Sequence, residues 1–338
     1  MKMLDTTRIR AALLGGMALF GPVLGGCNHS QHQDAGGRPL AAPPRFTDVA
    51  RAHNENVAQL GQVWGAASVV IRSTREDGSV RSDQGEGNIM LMRPDRLALR
   101  VGKLSETLFW VGCDDERYWL FDLASKPTTA TAGRHDGPGR ARSGLSGSLP
   151  TSRFADLLGI SIIPEDEPGT TQWSDDGTLV GATFPIYGDH LDPAGFERVW
   201  FEAREFMVTK VEIYDLNRQC IVVSDLADPE YVQIAGQGDI GPRMNTRAAI
   251  GVEGAGVQVN LYMDRLEDGR ERSGAPAKIT PRSFQFEELV RALSPAEVID
   301  ADRTRPAPSA AKGAAEGAAE GAAKGAAKGA ANGGGAQR

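Results

Sequence analysis

The chain has 338 residues, and 37 Lys plus Arg against 44 Asp plus Glu give a formal net charge of −7, which argues against a nucleic-acid module held by excess basic charge. Hydrophobic residues at 41% and charged residues at 24% describe a globular chain and exclude a wholly disordered one. Three cysteines, at 27, 113 and 220, are too few for a disulfide scaffold and offer no CxxC pair for a structural zinc.

Lys2, Arg8 and Arg10 against Asp5 make a positive start, and Ala11 to Gly26 carries no charge. That run is shorter than the ~20 apolar residues a membrane-spanning helix takes. Its ending, Leu24-Gly25-Gly26-Cys27, resembles the lipobox of bacterial lipoproteins. The resemblance implies that residues 1–26 are a signal peptide and that Cys27 is acylated and becomes the first residue of the mature chain. Each buried CH₂ contributes about 0.8 kcal/mol, so two or three acyl chains hold a protein on a membrane where one holds it marginally. The alternative reading is a plain secretory signal or short anchor with an incidental cysteine. Asn28 stands where an Asp would retain a lipoprotein at the inner membrane, which implies the outer membrane, with the protein facing the periplasm. Loss of the leader takes the net charge from −7 to −9, so attachment falls to the lipid and not to anionic headgroups.

Residues 27–44 are small and polar and read as a flexible tether. A folded domain is expected over 45–300. Thr47 to Trp64 reads as a helix, with Val49, His53, Val57, Leu60 and Trp64 spaced by three or four. From Ala66 the period changes to two. Strands are predicted over 68–75, 80–93, 96–104, 107–113 and 117–122, separated by turns at 76–79, 93–95 and 114–115. A Gly- and Arg-rich loop spans 133–150, and a short helix over 152–158 stops at Gly159. Further strands are predicted over 178–187, 196–205, 208–215, 219–225 and 257–263, and a closing helix over 283–293. Tight turns between neighbours indicate an antiparallel meander and not a βαβ series.

The segment 306–338 holds five tetrads, Gly-Ala-Ala-Glu twice, Gly-Ala-Ala-Lys twice and Gly-Ala-Ala-Asn once. A Gly at every fourth position costs about 1 kcal/mol each in a helix, so the tail reads as low-complexity and disordered. A weak helix that docks on an envelope protein or on peptidoglycan is the alternative.

Three stretches carry a resemblance. His53 to Leu60 leading into a long hairpin, the run Arg93 to Leu99 with Leu108 to Gly112 and Tyr118 to Asp122, and Val199 to Glu202 with Val211 to Asp215 are similar to the LolA and LolB lipoprotein carriers. The resemblance implies a mainly β (α+β) fold: a half-open, curved antiparallel sheet or incomplete barrel, here of about ten or eleven strands, with short lid helices over an apolar cavity for acyl chains. Candidate lining residues are Leu97, Leu99, Val101, Phe109, Val111, Trp119, Phe121, Phe201, Val211 and Ile213. Each taken singly also suits ordinary core packing, and only the set predicts a pocket. Receptor members of that superfamily carry an exposed apolar side chain on an early hairpin loop, whereas Thr74 to Ser79 here is polar.

Chemistry is sparse. The five histidines (29, 32, 53, 135, 190) form no HExxH, and the acidic loop 188–192 reads as solvated, so no metal is expected. Ser143 to Ser148 lacks the GxSxG spacing of a nucleophile elbow, and Gly251, Gly254 and Gly256 do not make a dinucleotide fingerprint. No catalytic residue and no cofactor is assigned. Cys113 and Cys220 either pair as a disulfide or stand apart as small buried or edge residues. The expected function is a membrane-anchored carrier or acceptor of an acyl chain or lipidated protein, not an enzyme. A structural or scaffolding envelope lipoprotein without a small ligand is the alternative.

Overall fold

The computed structural model describes residues 41–74, 78–135, 151–187, 193–234, 241–270 and 277–303. Helix α1 (Phe46–Ala58) turns Phe46, Val49, Ala50, His53 and Val57 inward. It ends sooner than the predicted Trp64, because Gln59 to Gly61 turn the chain into the first strand. Trp64 belongs to that strand, and its helical spacing from Leu60 is incidental. The helix starts one residue before the expected Thr47, with Arg45 at the cap position and its guanidinium bonding the Asp48 carboxylate of the first turn at 2.9 Å.

Six strands follow: β1 (Gln62–Thr74), β2 (Val80–Met92), β3 (Arg96–Lys103), β4 (Glu106–Cys113), β5 (Arg117–Asp122) and β6 (Thr129–Arg134). A 3₁₀ turn at Thr151–Arg153 runs into the short helix α2 (Phe154–Leu157), which stops at Gly159 with φ +64°. Seven more strands come next: β7 (Thr170–Trp173), β8 (Leu179–Tyr187), β9 (Pro193–Glu202), β10 (Val208–Tyr214), β11 (Cys220–Tyr231), β12 (Arg243–Val252) and β13 (Val257–Asp268). Helix α3 (Phe286–Leu293) and β14 (Glu297–Asp300) end the described chain.

All fourteen strands form one unclosed sheet in the order β14-β6-β5-β4-β3-β2-β1-β13-β12-β11-β10-β9-β8-β7, antiparallel except for the β14–β6 pair. Two meanders are joined where β1 pairs with β13, from Ser73 against Val257 to Val63 against Asp268. The count exceeds the ten or eleven expected. The additional strands β6, β7, β12 and β14 are short or rich in Ala, Gly and Thr, so they lack the bulky alternation that marks a strand in sequence.

The sheet buries both faces unequally. One face carries the main core, in which Leu97, Leu99 and Val101 of β3 meet strands of both meanders, covered by α1 and the segment 151–163. On the other face Ala98, Met90, Trp119 and Phe121 pack beneath α3, Ile279 and Phe284. Along β3, Leu97, Leu99 and Val101 thus share the core face, while on the other face Ala98 is covered and Arg100 is exposed. The predicted signal peptide, the Cys27 site, most of the predicted tether, residues 136–150 of the predicted Gly- and Arg-rich loop and the Gly-Ala tail lie outside the described residues, while Gly133 and Arg134 of that predicted loop end β6.

Close strand approach sets one strict requirement. A Cβ on Gly87 of β2 would stand 1.7 Å from the Arg100 carbonyl oxygen of β3, whereas one on Gly251 of β12 meets nothing within 4 Å. Gly87→Ala is therefore expected to destabilise by about 1–3 kcal/mol, as overpacking does. Gly251→Ala should stay within about 0.5 kcal/mol or gain slightly by restricting the unfolded chain. Urea titration of both variants checks the contrast.

Candidate functional site

Leu120 on β5 and Ile250 on β12 lie six strand spacings apart, roughly 29 Å on a flat sheet. Both nevertheless line a single cavity of about 740 Å³, which the curl of the sheet alone allows. Its wall is built by alternation: Val69 and Ile71 of β1, Leu99 of β3, Val111 of β4, and Val257, Val259 and Leu261 of β13 all point inward. On β4 the register slips, so that Val101 faces Phe109 while Gly102 faces Thr107. Leu108 is the extra residue, and the bulge lets it and Phe109 both face the cavity. Phe154 of α2 closes the inner side. The rim is polar, with Ser73, Arg81, Asp83, Gln84, Lys103 and Asp122, and Arg81 is paired with Asp83 at 2.7 Å.

Space remains because the cover is partial. The segment 151–163 is fixed over the second meander by hydrogen bonds whose partners are remote in sequence. Asn54 Nδ2 donates to the Ile163 carbonyl at 2.8 Å, and Asn54 Oδ1 accepts from the Ile163 amide at 2.9 Å. Ser224 Oγ donates to the Leu157 carbonyl at 2.6 Å. Arg153, almost fully buried, bonds Asp156 at 3.1 Å and approaches Glu197 of β9 at 3.5 Å. These contacts fix residues 154–163 over the second meander, while Thr151–Arg153 touch β4 and β5 and Arg93 of the β2–β3 turn bonds the Ile160 carbonyl; the cavity is the space left open beside Phe154.

The ten candidate residues divide three ways. Leu99, Phe109 and Val111 line the cavity. Leu97, Val101, Phe201, Val211 and Ile213 are buried in the same core without lining it, and His53 of α1 meets the Phe201 ring edge-on at 5.5 Å. Trp119 and Phe121 face the other way, their ring centroids 6.2 and 5.6 Å from Phe286 of α3. Val111 pairs with Leu120, so Leu120 is the cavity residue of β5 and its neighbours point outward. Tyr118 to Phe121 is apolar at every position, so alternation could not choose its face. Val69, Ile71, Leu108, Leu120, Ile250, Val257, Val259 and Leu261 were not among the candidates. The alternation of 257–261 was visible, but its place beside β1 is a tertiary fact.

Both remaining cysteines are free, the second of the two arrangements the sequence left open. Cys113 ends β4 and Cys220 begins β11, six strand positions away. Burial raises the Cys113 thiol to about 12, and its sulfur donates weakly to the Asp95 carbonyl at 3.5 Å. Among the described residues no three His, Cys, Asp or Glu side chains gather as metal ligands. The acidic loop 188–192 and the run Ser143 to Ser148 lie outside the described residues. Gly254 and Gly256 take positive φ in the β12–β13 turn.

A smaller cavity of about 280 Å³ adjoins the core beside His53, Arg153, Asp156 and Glu197. Burial lowers His53 to about 4, with the nearby Arg93 charge adding to the effect, so the ring is neutral and its Nε2–H donates to the Ser161 carbonyl at 2.8 Å.

No family model matches the chain, and no curated protein matches it. Solved structures do. A LolA superfamily protein from Nitrosomonas europaea is similar at 11% identity and a TM-score of 0.46, over 72% of this chain and 99% of that one. A putative outer membrane lipoprotein-sorting protein domain from Vibrio parahaemolyticus is similar at 13% identity and a TM-score of 0.47, over 72% and 97%. A DUF1329 family protein from Desulfovibrio piger is similar at 11% identity and a TM-score of 0.48, over 72% and 97%.

The His53 geometry makes stability depend on pH. The folded value lies below the unfolded ~6.5, so its contribution is complete above that pH and is lost as pH falls toward 4. Between pH 7 and pH 5 about 2 kcal/mol should be lost by this linkage. A His53→Gln variant should show a flatter profile over that window in urea titrations at the two pH values.

Proposed function

We propose that this chain binds an acyl chain, free or carried on a lipidated protein, in the concave cavity. It acts there as an envelope carrier or acceptor tethered to the outer membrane through Cys27 and facing the periplasm. The observation that carries this reading is the 740 Å³ cavity walled by aliphatic side chains from both meanders. Its volume lies within the roughly 300–1,000 Å³ of small-molecule sites. Apolar surface withdrawn from water contributes about 25 cal/mol per Å², so a saturated chain gains affinity along its length with no covalent step. Among the described residues no helix is long and apolar enough to cross a membrane. On this reading the acyl groups on Cys27 supply the attachment.

Leu104 supports the same reading. It occupies the two-residue turn between β3 and β4 at φ +49°, followed by Ser105 at +72°, and its side chain is 91% exposed. A leucine there bears two costs, a left-handed backbone and an unburied side chain. Such turns normally carry Asn-Gly. The turn lies at the same end of the sheet as the cavity rim formed by Ser73, Arg81 and Lys103. Thr74 to Ser79 between β1 and β2 is polar, whereas the β3–β4 turn at the same end of the sheet carries Leu104. On this reading Leu104 touches the bilayer while the cavity loads or unloads.

Titration of the full chain with a fluorescent palmitate analogue tests the reading, and saturable binding is expected. Leu120→Trp, which fills the cavity from β5, should weaken it at least tenfold. A chain that takes up no acyl ligand would overturn the proposal in favour of a scaffold. Leu104→Asp should lose association with phosphatidylethanolamine–phosphatidylglycerol vesicles in flotation while its palmitate affinity stays unchanged.

A further inference from the structure

The rim of the cavity is shared with a second recess. On the outer face of β2 and β3 lies a groove of about 670 Å³, lined by Trp64, Glu86, Asn88 and Arg100 together with Gln84 and Lys103. Gln84 and Lys103 also line the acyl cavity. Glu86 pairs with Gly102, which brings Gln84 level with the tip of the β3–β4 hairpin. The two recesses are therefore the inner and outer sides of one sheet margin.

We propose that this outer groove holds the polypeptide part of a ligand whose acyl chain lies in the cavity, with the link between them passing over the margin at Gln84 and Lys103. The inference rests on the acyl-binding reading above and adds a second subsite to it. The chemistry of the groove selects the occupant. Gln84, Glu86 and Asn88 alternate onto one face and spread amide and carboxylate groups over about 13 Å of strand. Arg100 lies opposite Asn88. Its Nε donates to Thr107 Oγ1 at 3.1 Å and its guanidinium stacks over the Trp110 ring at 5.6 Å, so the side chain is held in place. Among the described residues neither Arg100, Lys103 nor Glu86 forms an ion pair, although charges of both signs line the same groove. Donors and acceptors of both signs laid out along a strand suit an extended peptide, which presents N–H and C=O groups in alternation. A compact anionic headgroup would be met by clustered cations instead.

Affinity measurements on the full chain with three probes test this: palmitate, an S-palmitoylated Cys-Ser-Asn-Ala peptide, and a short-chain phosphatidylglycerol. The acylated peptide is expected to bind at least tenfold more tightly than palmitate. The double variant Glu86→Ala, Arg100→Ala should bring it to the level of palmitate while palmitate binding stays within twofold, which also reports that the variant is folded. Equal binding of peptide and palmitate, an unchanged peptide affinity in the double variant, or tighter binding of the phospholipid than of the peptide would each overturn the proposal. Failure of palmitate itself to bind would instead remove the underlying acyl reading, and this inference with it.

Discussion

The structure depends on the pairing of β1 with β13. These strands are nearly two hundred residues apart in sequence, and their ladder is the one seam that makes two antiparallel meanders into a continuous sheet. Gly65 marks how closely they fit, since a Cβ there would stand 2.7 Å from Leu266 Cδ2, beside a bulge between Trp64 and Ala66. A fourteen-stranded sheet of ordinary twist must curl, and curling brings β5 and β12 to opposite walls of one space. Without the seam each meander would expose the apolar face that the other encloses.

How that enclosed face is covered decides which part of it is core and which part is cavity. Helix α1 and residues 154–163 lie over the second meander, and Thr151–Arg153 reach β4 and β5; the cover is held by Asn54 of α1 on Ile163, Ser224 of β11 on Leu157, and Arg153 with Asp156 and Glu197. A buried ion pair of this sort adds little net stability, because desolvation offsets the attraction, but it admits few alternative positions for the segment. Phe201, Val211 and Ile213 are therefore packed core, while Leu99, Phe109 and Val111 border open space. On the opposite face α3 performs the same service for Trp119 and Phe121. Covalent chemistry has no part in the proposed function; affinity would come from apolar area, and the arrangement of polar groups at the margin would decide what else the ligand must carry.

Much of this was legible before any coordinates. The ten strands marked by bulky alternation or by Asp and Gly turns are all present, and the pairing of neighbours follows from the short turns between them. Of the four strands not foreseen, β7 and β14 are only four residues long, and Thr-Ala-Thr-Ala of β6 and Ala-Ala of β12 give small side chains in place of a pattern. The helix beginning at Phe46 was visible and its end was not, because Trp64 happens to continue a spacing of four. The site was legible only in part. Alternation places Leu97, Leu99 and Val101 on one face of β3, but a continuously apolar strand such as Tyr118 to Phe121 has no marked face.

The sequence by itself determined the class of fold, the antiparallel order of neighbouring strands, the acidic charge and the lipobox-like ending at Cys27. Each of these rests on residues close together in the chain, where turn geometry and side-chain period act directly. Tertiary structure decided the rest: that β1 meets β13, that Leu120 and not Trp119 or Phe121 faces the cavity, that Cys113 and Cys220 stand far apart, and that Leu104 is left exposed beside the rim. All four turn on which distant strand lies opposite and where cover ends. A periodic pattern states that a face is apolar; only the packed chain states what, if anything, lies against it.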